Sequence, residues 1–273
     1  MMKLEISGLS FSYGERQVLE DISFGVAEGE FVSLLGPSGC GKSTVLKLLT
    51  GILSPDRGRI LVDGEEIRGL SSHFAYMPQN DLLFPWKTIL DNVCLYGRIH
   101  GSLEEMRERA REYFPVFGLE GYEDSYPASL SGGMRQRAAF LRTALCSADI
   151  LLLDEPFGAL DVITRGEMQD WLLAMRKELG KTVVLVTHDM DEAIYLSDRI
   201  LILNTAPAGI HGEISVCETQ RDRDWLYGQG ELRREIHGRI MGKERKGCCF
   251  VMPMPIWGTI QNGRSGPERG SFP

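Results

Sequence analysis

Apolar and polar residues alternate in short runs over the first thirty positions, with Leu4 and Ile6, then Ile22, Phe24 and Val26, on the apolar beat. A period of two predicts half-buried strands, and Gly14 and Gly29 punctuate them as turns. The stretch Phe31–Leu35 is an apolar run ending at Gly36, the pattern of a strand buried on both faces. Lys42–Leu49 then predicts a helix closed by Gly51. Residues 58–67 return to strand and turn, with Asp63-Gly64 as a hairpin signal.

From about residue 89 to 144 the pattern is mostly helical, and the dense charges of 104–112 form a solvated helix face. Ser131 precedes a helix whose apolar positions are Met134, Ala138, Leu141 and Leu145. Residues 150–153 predict a second buried strand, ending in Asp154. Met168, Trp171, Leu172, Met175 and Leu179 follow a helical period. Residues 183–186 predict a third buried strand, ending in Thr187 and His188. Strands alternating with helices imply an α/β fold, a mostly parallel sheet covered on both faces. From about residue 241 the chain becomes rich in Gly and Pro with no sustained period, and residues 241–273 read as a poorly ordered tail.

Composition narrows the function classes. The 273 residues are 43% hydrophobic and 25% charged, the mix of an ordinary globular protein. The net charge of −8 argues against a sequence-independent nucleic-acid binder, which needs a basic surface. No apolar run approaches the roughly 20 residues of a membrane span, and the start MMKLEISGLS lacks a signal pattern, so a cytoplasmic location is expected. The six cysteines show no CxxC pairing and read as reduced thiols.

The chemistry concentrates in three segments. Gly36, Pro37, Ser38, Gly39, Cys40, Gly41, Lys42, Ser43 and Thr44 match G-x-x-x-x-G-K-[ST] between a buried strand and a helix. Glycines let the backbone wrap phosphate oxygens. The helix start adds positive charge, Lys42 a cation for the β- and γ-phosphates, and the Ser43 hydroxyl a ligand for Mg²⁺. Cys40 reads as a small spacer in the loop. The second segment is Ile150-Leu151-Leu152-Leu153-Asp154-Glu155. Asp154, at the end of a buried strand, fits a metal-site carboxylate, and Glu155 fits a general base acting on water. In the third, Leu130-Ser131-Gly132-Gly133-Met134-Arg135-Gln136, Ser131 is a natural N-cap and the glycines expose a second anion-binding helix start.

These three segments, in this order, resemble the nucleotide-binding subunit of an ATP-binding cassette (ABC) transporter. The other family elements match at Gln79 after a strand, at Phe157 to Asp161 (FGALD) and at Thr187 to Asp189 (THD), while Tyr13 stands where the family stacks a ring on adenine. The resemblance spans about residues 3–240 and implies a P-loop NTPase (RecA-like) core. An N-terminal antiparallel β subdomain and a helical subdomain inserted at about 85–147 accompany it. It also implies ATP and Mg²⁺ as ligands and two copies facing head to tail. Each ATP then lies between one phosphate loop and the partner's Ser131, Gly132 and Gly133. Gln79 contacts Mg²⁺ and the attacking water, His188 the γ-phosphate, and Asp161 reaches across the dimer.

Leu82, Leu83, Phe84, Pro85 and Trp86, seven residues on from Gln79 at their end, resemble the importer branch for nitrate, sulfonate, taurine and related solutes. FGALD and the segment MDEAIYLSDRI point the same way, and Phe84 departs from that branch's usual Leu. The branch implies a membrane permease docked near Leu82 to Trp86, an external solute-binding protein beyond it, and a place on the inner face of the membrane. Trp86 can alternatively fill the helical core. A soluble ABC ATPase unlinked to transport is the competing function; the single phosphate loop and the lack of heptads weigh against it.

Overall fold

The computed structural model describes residues 1–241 apart from Ala159 and Thr219, so the Gly/Pro-rich tail expected at 241–273 lies outside the described residues from 242 onward. The first two strands, β1 (Met2–Tyr13) and β2 (Arg16–Ala27), form a long antiparallel hairpin around Gly14. β1 also pairs antiparallel with β4 (Arg57–Val62), which turns at Asp63-Gly64 into the short β5 (Glu65–Glu66), giving a sheet of order β2-β1-β4-β5. Gly58 is obligatory in that sheet: its φ is 90°, and a Cβ there would lie 2.5 Å from the Gly8 backbone.

The second sheet contains β3 (Phe31–Leu35), β6 (Phe74–Met77), β7 (Ile150–Asp154), β8 (Thr182–Thr187), β9 (Arg199–Leu203) and β10 (Ile210–Ser215), in the order β10-β9-β3-β8-β7-β6. All neighbours are parallel except the β10–β9 edge pair. Its strands alternate between two cores. Val32, Leu34, Ile150, Leu152, Val184 and Val186 pack with Leu4, Ile6 and Val45 on one side. Phe31, Leu35, Leu151, Leu153, Val183 and Leu185 pack with Phe114, Phe140 and Leu172 on the other. Both faces are dry, which is why these strands read as apolar runs rather than alternating ones.

The helix α1 (Lys42–Leu49) follows β3, and Gly51 at φ 75° ends it. Between β6 and β7 the chain folds into α2 (Ile89–Val93), α3 (Leu95–His100), α4 (Leu103–Val116) and α5 (Gly132–Ala144). Buried Asn92 ties the approach to α2 together, donating to the carbonyls of Phe84, Lys87 and Thr88 and accepting from the Phe84 N–H. α6 (Val162–Leu179) crosses from β7 to β8, with Met168 and Leu172 buried in the core. α7 (Met190–Leu196), α8 (Arg223–Gly228) and α9 (Gly230–Ile240) complete the described chain. No helix of the described residues is long and apolar enough to cross a membrane.

Register decides where the chemistry gathers. Leu35 pairs with Thr187, Asp154 with Val186, and Met77 with Leu153. The segments leaving the carboxyl ends of β3, β6, β7 and β8 therefore start side by side, where ligands bind in open α/β sheets.

Candidate functional site

The loop of residues 36–41 joins β3 to α1. Gly39 and Gly41 take positive φ, 76° and 115°, and a Cβ on Gly41 would press within 2.9 Å of Leu19 and Val18. Gly41 is also the N-cap of α1; its carbonyl accepts from the Thr44 and Val45 N–H groups, leaving those of Lys42 and Ser43 without an acceptor inside the helix and open toward the loop. Lys42 is 4% exposed and donates through Nζ to the carbonyls of Gly36 (2.8 Å) and Pro37 (2.9 Å), which holds its charge over the loop. Cys40 is buried, and burial pushes its thiol pKa up. A buried thiol with little thiolate is a poor nucleophile, in keeping with a spacer.

A cleft of ≈ 310 Å³ is lined by Tyr13, Arg16, Val18, Gly39, Gly41, Lys42, Ser43, Thr44 and Glu155. It brings a half-exposed ring from the β1–β2 hairpin, braced edge-on by Phe11 at 4.8 Å, to the same space as the loop and the acid after β7. Arg16 was not evident as a site residue. Its place depends on the hairpin folding back over the loop, and no local signal marks it.

Beneath the loop, the Ser43 hydroxyl donates to Asp154 Oδ1 (2.9 Å) and the Tyr76 hydroxyl to Oδ2 (3.0 Å). Burial raises the Asp154 carboxyl above its ordinary value, while these two hydrogen bonds oppose the rise. Such a group gains from a cation beside it. Tyr76 is a second residue that sequence reasoning missed, since only the β6–β7 register carries it to Asp154.

At the mouth, Gln79 Nε2 donates to Glu155 Oε2 (3.3 Å), and His188 Nδ1 lies 3.3 Å from the same oxygen. Three segments thus converge on one carboxylate. Glu155 adopts φ 45°, a left-handed conformation that costs a non-glycine residue of order 1–3 kcal/mol. Its N–H donates to the Val186 carbonyl, and its own carbonyl accepts from Gly158, which pins the turn. Gln136 of α5, fully inside, donates to the Pro156 carbonyl at 2.6 Å, so the same turn is also tied to α5.

Ser131, Gly132, Gly133 and Asp161 do not line this cleft. Ser131 caps α5, accepting from the Met134 N–H at 3.2 Å. Gly133 has a packing reason: a Cβ there would lie 2.3 Å from the Thr164 methyl on α6. Gly132 has none, because the nearest atom to its added Cβ is 4.0 Å away. Asp161 caps α6 through the N–H groups of Ile163 and Thr164, and the Thr164 side chain together with these N–H groups holds its carboxyl below the ordinary value. The next two residues are apolar and open to solvent, Val162 at 84% and Ile163 at 75%. Trp86 is 71% exposed and leans on Phe84 at 5.2 Å, so it does not fill the helical core.

The sequence profile of the ABC transporter family matches residues 19–158. The chain is 41% identical over 241 residues to the taurine import ATP-binding protein TauB of Pseudomonas aeruginosa (strain UCBPP-PA14), covering 86% of this chain and 90% of that protein. It is 42% identical over 214 residues to the aliphatic sulfonates import ATP-binding protein SsuB of Bacillus cereus (strain ATCC 10987 / NRS 248), covering 77% and 84%. Among solved structures, the dimeric post-hydrolysis state of the ATP-binding cassette MJ0796 bound to ADP and Pi superposes with a TM-score of 0.67 at 30% identity, over 79% of this chain and 99% of that one.

Proposed function

The chain belongs to the ABC transporter family, and we propose on that basis that it is the ATP-hydrolysing subunit of an importer for taurine, an aliphatic sulfonate or a related small solute. The observation that carries the enzymatic part is the meeting of Gln79 and His188 on the Glu155 carboxylate at the mouth of the phosphate-loop cleft. The import part rests on relatives whose names are those of import ATP-binding proteins.

Tyr13 faces the adenine, and the loop from Gly36 to Thr44 wraps the phosphates, with Lys42 turning from the Gly36 and Pro37 carbonyls to the β- and γ-oxygens. Ser43, Asp154 and Gln79 offer the hard oxygen donors that Mg²⁺ selects, and the raised Asp154 carboxyl suits a neighbouring cation. When bound, Mg²⁺ neutralises charge on the phosphate oxygens. Glu155 accepts a proton from water as the water oxygen bonds to the γ-phosphorus. The bond to the bridging oxygen breaks, and ADP leaves with its electron pair. Gln79 and His188 hold the base and the water in line.

Ser131, Gly132 and Gly133 at the start of α5, together with Asp161, do not line the chain's own cleft, and they serve the nucleotide of a second copy related by a two-fold axis. The bare Gly132 helix start and the uncovered Val162 and Ile163 are the features of this chain that support that assembly. Leu82 and Trp86, at 60% and 71% exposure, form the contact for an integral membrane permease on the inner face of the membrane. The solute-binding protein is reached only through that permease. Residues 1–240 constitute the nucleotide-binding domain, with its helical part at about 85–147. The test is twofold. The purified chain must release phosphate from Mg-ATP, and cells lacking it must lose uptake of taurine or a sulfonate. A chain that hydrolyses ATP while uptake of every such solute persists would leave the soluble ATPase reading instead.

A further inference from the structure

Glu192 is a buried carboxylate for which the hydrolytic scheme has no use. It is 4% exposed, on the first turn of α7, and its Oε2 accepts the Thr187 hydroxyl at 2.5 Å. That hydroxyl also accepts the Asp189 N–H at 3.0 Å, so one oxygen closes a turn around the residue between them, His188. Asp189 caps the same helix through the N–H groups of Asp191 and Glu192, and its carboxylate lies 3.6 Å from Arg165 on α6. The imidazole at the tip of this turn is half exposed, and its Nδ1 lies 3.3 Å from Glu155 Oε2.

We propose that Glu192 is a positioning residue for His188: its ionised carboxylate anchors Thr187 and so sets the turn that holds the imidazole against Glu155. The anchoring is sensitive to protonation for a geometric reason. A hydroxyl that accepts from Asp189 has its one proton to give, and a carboxylate takes it without competition. A neutral carboxyl either brings its proton to Oε2, so that Thr187 must turn its hydroxyl, or carries it on Oε1 and leaves Oε2 an uncharged, weaker acceptor. The charged and titratable groups that face Glu192 are His188 and Asp189 from the turn and Arg165 from α6. Arg165 and His188 favour its charge, Asp189 opposes it, and burial, the largest influence, pushes its pKa from 4.5 to about 7. The anchor therefore changes state near neutrality, and turnover rises as the carboxylate forms.

This inference rests on the ATPase reading, so its test has one arm that needs no hydrolysis. In that arm the His188 ring resonance, assigned by its loss in His188→Gln, is titrated by NMR in the full chain. Because an imidazole titrates in this range by itself, the wild type should show a two-step curve whose step near pH 7 Glu192→Gln abolishes, leaving a single step; identical curves would overturn the proposal. In the second arm, Mg-ATP turnover is followed from about pH 5.5 to 9. If only the ionised form anchors the turn, wild-type kcat at pH 6 lies about 10-fold below its plateau, with KM for ATP unchanged. Glu192→Gln at pH 8, which has no ionised form, should turn over no faster than the wild type at pH 6 and lose that limb. Thr187→Val should reproduce it, Thr187→Ser should restore the wild-type profile, and the double variant Glu192→Gln/Thr187→Val should be no slower than either single one. Multiplying effects, a retained limb, or a loss that tracks only the fraction unfolded would each refute the assignment. A wild type that hydrolyses nothing at any pH refutes the ATPase reading, while the NMR arm still decides this one.

Discussion

Replacing Trp86 by Ala separates a docking residue from a core residue, and the structure supplies the magnitude. A fully buried tryptophan hides up to about 250 Å²; at 71% exposure this one keeps less than a third of that from water, mainly against Phe84. At about 25 cal/mol per Å² the truncation costs about 1–2 kcal/mol, against about 3–5 kcal/mol for a tryptophan in a packed core. For a domain of this size each kcal/mol moves Tm by about 2–4 °C. Trp86→Ala should therefore melt within about 8 °C of the wild type and keep its basal phosphate release, because Trp86 does not line the phosphate-loop cleft. Assembly with the membrane permease should weaken by the 2 kcal/mol or more typical of an aromatic anchor, roughly 30-fold in affinity, and uptake should fall with it. Differential scanning calorimetry, phosphate release and solute uptake on this single variant complete the test. A Tm drop beyond about 15 °C, or uptake at the wild-type rate, would refute the reasoning.

Glu155→Gln keeps an oxygen for Gln79 to donate to but removes the base, so nucleotide binding should persist while turnover falls by about 10²–10⁴-fold, measured as phosphate release at saturating Mg-ATP; unchanged turnover would remove Glu155 from its role. The same variant should form a dimer with ATP, visible by light scattering, and a second substitution, Gly132→Val, should abolish that dimer without lowering Tm by much, since an added Cβ there approaches only the flexible end of Arg135, at 4.0 Å. Because the native Glu192 carboxyl titrates near pH 7 rather than 4.5, the native state holds its proton more tightly. Its contribution to stability is complete below pH 4.5 and lost as pH rises through 7. The 2.5-unit difference corresponds to about 3 kcal/mol, so Glu192→Gln should gain Tm over the wild type at pH 8 and little at pH 5; a pH-independent difference would contradict the burial argument.

Residues 36–44, the acids at the end of β7 and the capped glycines of α5 were legible in the sequence because each is a local device. A tight loop, a strand end and a helix start carry their requirements in adjacent residues, and the apolar runs that became β3, β7 and β8 announce two-sided burial by composition alone. Gly133 shows the limit of such reading. As a motif residue it belongs with Gly132, yet only the packing of α5 on α6 reveals that Thr164 forbids it a side chain. Tyr76 on Asp154, Arg16 in the cleft and Glu192 under Thr187 had no sequence signal, since each depends on which strands neighbour one another and in what register. β9 carried the same signal in its buried run Ile200, Leu201, Ile202 and Leu203 but was not read from it, whereas β10 is a largely polar edge strand whose pattern is weak. Trp86 was open to two readings, because a Pro-Trp step has the same local chemistry in a core and on a surface. What the chain by itself determined is a set of candidate groups whose chemistry suits a bound nucleotide. What the tertiary structure decided is that Gln79, Glu155 and His188, up to 109 residues apart, share one oxygen, because parallel strands in register deliver their carboxyl ends to a single edge.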